Sequence, residues 1–183
     1  MTYLNKSFFA GDTVTVARNL IGTVLVVGEC SGRIVEVEAY TTDAAAHSVT
    51  RRNTAALMTE TFGHLYVYLI YGMYYCLNFT TERHGVGAVL IRAAEPLSGE
   101  HHMRRRRGRT DPKKLASGPG RLCEAFGIDH RLNGQQIGEK LKLKQGYALA
   151  EIRSGPRIGI SKATDLHWRF YEADNPFVSR GSI

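Results

Sequence analysis

The chain has 183 residues, 43% hydrophobic and 22% charged, the balance of one globular domain that buries roughly 70% of its unfolded surface. No apolar run approaches the roughly 20 residues that span a bilayer, and MTYLNKSFFAGD lacks the parts of a signal peptide. A cytoplasmic protein with no membrane partner is therefore expected. The net charge is +7, yet His101 to Lys114 alone carries seven basic residues and one acid, and the rest of the chain carries only +1.

In chain order, an Asp-led helix is expected around Thr13 to Asn19, ending near Gly22. TVLVVG is β-branched and reads as a strand, and GRIVEVEAY alternates strictly as a second. A short helix is expected near Thr54 to Met58. HLYVYLIYGMYYCLNFT reads as two strands meeting at Tyr71–Gly72–Met73, where Gly72 supplies the positive φ of a tight hairpin. GVGAVLIRAAEPL is a strand with an abrupt stop at Pro96. The basic segment reads as a loop. GPGRLCEAFGI opens a short helix with Gly-Pro. EKLKLKQG and YALAEIRSGPRIGIS read as late strands, the latter broken at Ser154–Gly155–Pro156. With no repeat and no linker, residues 1–183 are expected as a single α+β domain. It would hold a curved antiparallel, open-barrel-like sheet, short surrounding helices and a protruding β-hairpin.

Cys30, Cys76 and Cys123 are scattered and odd in number, so buried reduced thiols are expected, with no disulfide framework and no metal. In GRIVEVEAY, Val35, Val37 and Ala39 share one strand face, and Glu36, Glu38 and Tyr40 share the other. That second face is either a solvent-facing edge, the commoner fate of strand glutamates, or a pocket floor where one carboxylate activates water. Five of the nine tyrosines fall between Tyr66 and Tyr75. Tyr66, Tyr68 and Ile70 share a face opposite Leu65, Val67 and Leu69. Two-sided packing explains such a strand, but not Tyr71 and Met73 at a hairpin tip. Exposed bulky side chains there suit a wedge between base steps, with aromatic walls behind it for an everted base. No lysine lies between Lys6 and Lys113, so this stretch offers no amine for Schiff-base chemistry. The basic run suits a phosphate backbone, though a solvated loop without a partner accounts for it equally.

RIVEVEAY, AAAHS, LYVYLIYGMYYCLN, GAVLIRAAEPL, GPGRLCEAFGI, RIGI and WRFY, in this order from Phe8 to Ser179, resemble the alkyladenine (3-methyladenine, or methylpurine) DNA glycosylases. The resemblance implies an enzyme that everts a damaged purine from double-stranded DNA. It hydrolyses the N-glycosidic bond without cutting the strand, and it needs no cofactor. Lesions such as 3-methyladenine, 7-methylguanine and hypoxanthine are implied, with ethenoadenine wherever the pocket has room. Carried over residue by residue, Glu38 is the general base and Arg92 positions the water. Tyr40 faces His47 and Tyr68 across the base, Asn78 crowds the 2-amino group of guanine, and a carbonyl at Ile160 helps hold the water. Tyr71 intercalates beside Met73 and Tyr74. The basic loop has no motif to align, so phosphate contact by Arg104, Arg105, Arg106 and Arg107 rests on charge alone. Phe62–Gly63–His64 stands where family members commonly carry Pro-Gly. A monomer is the simplest form. The competing reading is a non-catalytic nucleic-acid-binding module using the basic loop and the aromatic hairpin. A zinc-dependent deaminase is disfavoured because HxE and PCxxC are absent.

Overall fold

The computed structural model describes residues 2–51, 55–146 and 151–179. Helix α1 (Thr13–Leu20) forms where expected. The Asp12 carboxylate accepts the Thr15 N–H at 2.8 Å, satisfying an amide that a helix start leaves unpaired. Thr13, Val16, Ala17 and Leu20, spaced i, i+3, i+4 and i+7, form its buried face. Strands β1 (Val24–Val27) and β2 (Cys30–Tyr40) follow, then two short helices, α2 (His47–Thr50) and α3 (Ala56–Glu60). The second corresponds to the helix expected near Met58, whose proposed start at Thr54 lies outside the described residues. The first is a single turn, too short for any periodic signature. Strands β3 (Leu65–Ile70) and β4 (Tyr74–Thr81) make the expected hairpin, and β5 (Gly87–Ser98) follows.

Three expectations need correction. Pro96 does not end β5, which continues to Ser98. Pro96 sits opposite Gly32, where the ladder to β2 shifts register, and a bulge tolerates the missing N–H. The basic segment is not a loop: Glu100–Arg107 is helix α4. Arginine is a good helix former, Gly99 and Gly108 bracket the helix at φ 71° and 58°, and the arginines of its last turn face the negative helix end. Finally, the late strands shrink. After helix α5 (Pro119–Phe126) the strands among the described residues are β6 (Leu141–Lys144), β7 (Ile152–Gly155) and β8 (Arg169–Glu172). Residues 147–150 lie outside the described residues, and beyond Pro156 the RIGIS stretch is irregular backbone.

Among the described residues these eight strands make one antiparallel sheet, in the order β3-β4-β5-β2-β1-β6, with β8 also pairing β2 and β7. It curls as a half-barrel with the short helices around it, the α+β single domain expected. The curl has a local cause. Register shifts between Ser31 and Gly32 and on both sides of Glu36 bend β2. Its edge opposite β5 is thereby divided, pairing β1 over Cys30–Arg33 and β8 over Glu36–Glu38. Gly32 is required at the first shift. A β-carbon there would lie 2.9 Å from the Phe126 ring and 3.0 Å from the Glu95 carbonyl, so α5 packs directly on the strand. The main core joins Phe9, Leu20, Leu25, Ile34, Leu65, Leu77, Phe79, Ile91 and Phe126. A smaller cluster of Ala55, Met58, Tyr66 and Ala88 packs against Tyr40 and Tyr68, backing the aromatic end of the sheet. Cys30, Cys76 and Cys123 are free and buried. No helix among the described residues is long and apolar enough to cross a membrane.

Candidate active site

The glutamates of β2 do not form a solvent-facing edge: Glu36 and Glu38 are both fully buried. Two carboxylates in so dry a place require compensating charge. Arg92 on β5 supplies it, with Nε 3.2 Å from Glu36 Oε1 and Nη1 3.3 Å from Glu38 Oε1. Its Nη2 donates to Ser179 Oγ at 3.4 Å. Glu36 is further held by Arg169 Nε at 2.6 Å and by the Ser179 N–H at 2.7 Å. Glu38 accepts the Tyr40 hydroxyl on Oε2 at 2.8 Å and the Ile158 N–H on Oε1 at 2.7 Å. The two acids thus differ. Glu36 lies inside an arginine clamp, whereas Glu38 Oε2 has the Tyr40 hydroxyl as its only donor among the described residues and keeps acceptor capacity.

Burial pushes the Glu38 carboxyl above its ordinary value, against the opposing pull of Arg92, the Ile158 N–H and the Tyr40 hydroxyl. A carboxylate moved toward neutrality is a stronger base than a free one. For Arg92, burial works against the charge, but Glu38 and Glu36 outweigh it and hold the guanidinium more firmly protonated than usual.

A cleft of about 1050 Å³ opens above this cluster. Tyr40, His47, Tyr66, Tyr68, Asn78 and Arg92 line its inner part, and Ile158 and Ile160 line one side. The alternation of β3 holds here, since Tyr66, Tyr68 and Ile70 face the cleft while Leu65 and Val67 enter the core. His47 and Tyr68 lie with ring centroids 4.5 Å apart, and His47 Nδ1 meets the Tyr66 hydroxyl at 3.0 Å. The Asn78 amide donates to the Tyr66 carbonyl at 2.9 Å, which fixes its orientation. Ile160 lines the cleft, but the backbone group touching Glu38 is the N–H of Ile158, two residues earlier.

Burial, reinforced by Arg51, lowers the His47 pKa to about 4, so the ring is neutral near pH 7. A proton-detected titration should show a His47 midpoint near 4, well below the ordinary 6.5. Because the folded value is depressed, His47 contributes stability that is complete above about pH 6.5 and is lost as the pH falls toward 4. A midpoint near 6.5 would mean that the ring swings free of Tyr66 and Tyr68.

At the mouth, Tyr71, Met73 and Tyr74 are 77%, 65% and 44% exposed. Tyr71 and Gly72 take φ values of 53° and 68°, both in the left-handed region, and the Met73 N–H closes the turn on the Ile70 carbonyl at 3.2 Å. A tyrosine in that region is disfavoured by roughly 1–2 kcal/mol. Arg51, Arg107, Arg109, Arg121 and Lys162 bring positive charge to the cleft lining. Of the four arginines singled out in the basic run, only Arg107 lines it. Arg104 pairs with Glu100, Arg106 donates to the Ala125 carbonyl at 2.8 Å, and Arg105 is exposed on α4.

Sequence reasoning missed the parts contributed by Ile158, Arg169 and Ser179. The segments RIGI and WRFY carried the resemblance, but neither has a periodicity that would show which side chains turn toward β2. Fold and cleft together define a class, a single α+β half-barrel domain with a slot of ring systems over a buried acid. The chain matches the profile of the family described as Methylpurine-DNA glycosylase (MPG) over residues 7–176. Its relatives include a protein of Nitrosospira multiformis, 48% identical, the match covering 94% of this chain and 91% of that one. Another is from Methanoculleus marisnigri, 45% identical over 97% and 98% of the two chains. A third, from Rhodopseudomonas palustris, is 47% identical over 97% and 90%. All three carry the name "Putative 3-methyladenine DNA glycosylase". This chain belongs to the methylpurine-DNA glycosylase family.

Proposed function

We propose that the protein is a monofunctional DNA glycosylase that removes alkylated and deaminated purines from duplex DNA by direct hydrolysis. The observation that carries this reading is the buried Glu38, held by Tyr40, Arg92 and the Ile158 N–H at the foot of an aromatic cleft. The damaged nucleotide is everted into the slot between Tyr40 on one side and His47 with Tyr68 on the other. Tyr71, flanked by Met73 and Tyr74, fills the space the base leaves in the stack. Asn78, fixed by the Tyr66 carbonyl, presents a rigid group that crowds the 2-amino substituent of normal guanine.

A water beside Glu38 Oε2 gives its proton to the carboxylate while its oxygen bonds to C1′ of the sugar. The electron pair of the C1′–N bond leaves with the base. Cationic bases such as 3-methyladenine and 7-methylguanine depart neutral, so the activated water is the main requirement, whereas a neutral base such as hypoxanthine must also take up a proton as it leaves. A cation between π faces gains about 0.5–2 kcal/mol, which favours these lesions in the slot. Arg92 keeps Glu38 ionised in its dry setting and helps orient the water. The cationic lining, Arg107, Arg109 and Arg121 included, meets the phosphates flanking the lesion.

Incubating the protein with duplexes containing 3-methyladenine, 7-methylguanine or hypoxanthine, and measuring free base, tests the reading. Release with an intact abasic strand and no borohydride-trapped adduct is expected. Binding without release from any lesion would point instead to a nucleic-acid-binding module. Tyr71→Gly gives a second check. It relieves the left-handed tyrosine, so stability should stay within about 1 kcal/mol of the parent. Affinity for lesion duplex should fall about tenfold or more with the lost stacking. Unchanged affinity in a binding titration would remove Tyr71 from the stack.

A further inference from the structure

We infer that Arg157 is a positioning residue that fixes Glu38 and both aromatic walls of the cleft at once, an assignment that rests on the glycosylase reading. Arg157 is buried, and it does not line the cleft although Tyr40 and Ile158 do. Its guanidinium carbon lies 4.6 Å from the centroid of the Tyr40 ring and 5.4 Å from that of Trp168. The cation therefore sits on the face of Tyr40 turned away from the cleft. Its Nε is buried without an acceptor among the described residues, so stacking between the two rings, rather than maximal hydrogen bonding, sets the plane of the guanidinium.

The two remaining nitrogens reach the end of β2 and the loop that runs from it toward His47. Nη2 donates to Asp43 Oδ1 at 2.7 Å, and Nη1 donates to Asp43 Oδ2 at 3.1 Å and to the Ala39 carbonyl at 2.9 Å. Asp43 in turn accepts the N–H groups of Thr41 and Ala45, and so shapes the turn that leads into His47. The next residue in the chain, Ile158, donates its N–H to Glu38. One planar cation thus joins the Tyr40 ring, the loop carrying His47 and the backbone donor on the proposed base. Lysine keeps the charge but not the fork, and methionine keeps the packing without either.

The test compares wild type, Arg157→Lys and Arg157→Met in single-turnover base release from a hypoxanthine duplex across pH, with binding titrations and thermal melts alongside. Release by the wild type establishes that the reading this inference rests on holds, so failure of either can be told apart. Both variants should bind undamaged duplex within a few fold of the parent, since Arg157 does not line the cleft. Release should slow about 10²-fold in Arg157→Met, the scale of a misplacement of about 1 Å, and less in Arg157→Lys. The acid limb of the rate profile should also move to higher pH, because Glu38 loses part of its Ile158 donor. The other charged and titratable groups around Glu38, namely Glu36, Tyr40, Cys76, Arg92 and Arg169, are unchanged in these variants. Rates within threefold of wild type in both variants, or slowing in proportion to thermal destabilisation with the acid limb unmoved, would overturn the assignment. Should Arg157→Met fail to fold, Arg157→Lys decides by the same two readouts.

Discussion

Glu38→Gln should slow single-turnover base release by about 10²–10⁴-fold, the usual contribution of a general base, while lesion-duplex affinity stays close to that of the parent. Glutamine keeps one acceptor oxygen for the Ile158 N–H and turns its amide N–H to the Tyr40 hydroxyl oxygen, which can accept it, but it cannot take a proton from water. The same change makes a stability prediction of opposite sign. The folded pKa of Glu38 is raised, so the folded state binds its proton more readily than the unfolded chain does. That preference stabilises the protein below the unfolded carboxylate pKa and is lost as the pH rises through the folded value. The neutral glutamine escapes this loss. Urea unfolding should therefore show Glu38→Gln gaining on the parent as the pH rises from 4 to 8. Full activity in the variant would take Glu38 out of the chemistry, and a stability difference independent of pH would contradict its dry, strained ionisation.

Arg92→Met should be the most damaging single change to the fold. Arg92 is the one side chain among the described residues within ion-pair reach of both Glu36 and Glu38. Without it two buried carboxylates lose their shared counter-charge, with only Arg169 left on Glu36. Breaking a buried ion pair from one side costs about 3–5 kcal/mol, a large share of a domain's total stability. The sign of the pH response follows from the geometry. Glu38, no longer opposed by Arg92, has its folded pKa driven further above the unfolded one, so the variant recovers stability as the pH falls and loses it as the pH rises. Adding Glu38→Gln should restore part of the loss by removing the carboxylate left without a counter-charge, since Glu36 keeps Arg169. Denaturation at pH 5 and pH 8 measures both effects. A loss under about 1 kcal/mol, equal at both pH values, would mean that water reaches the carboxylates.

How much of this was legible beforehand varied with the length scale of the cause. Local rules served α1, whose Asp12 cap and i, i+3, i+4 face are written in consecutive residues, and the β3–β4 turn, whose positive φ at Gly72 needs no tertiary partner. They failed on the basic run. Charge density suggested a loop, whereas the helix propensity of arginine, the Glu100–Arg104 pair and inward partners for Arg106 and Arg107 made a helix packed against α5. They failed too on Pro96, because whether a proline ends a strand depends on what the opposing strand does, and there it meets a bulge at Gly32.

Sequence alone determined which side chains could share a face. Alternation along β2 and β3 put Glu38 with Tyr40 and Tyr66 with Tyr68, since pleat geometry is fixed residue by residue. Tertiary structure decided what those faces meet. Glu38 is dry, and its carboxyl is pushed above its ordinary value, because a loop 120 residues further along the chain covers it and donates the Ile158 N–H. Arg157 reaches the Tyr40 ring and Asp43 from that same loop. Desolvation and ion pairing depend on which distant segments close over a strand, and no local pattern records that.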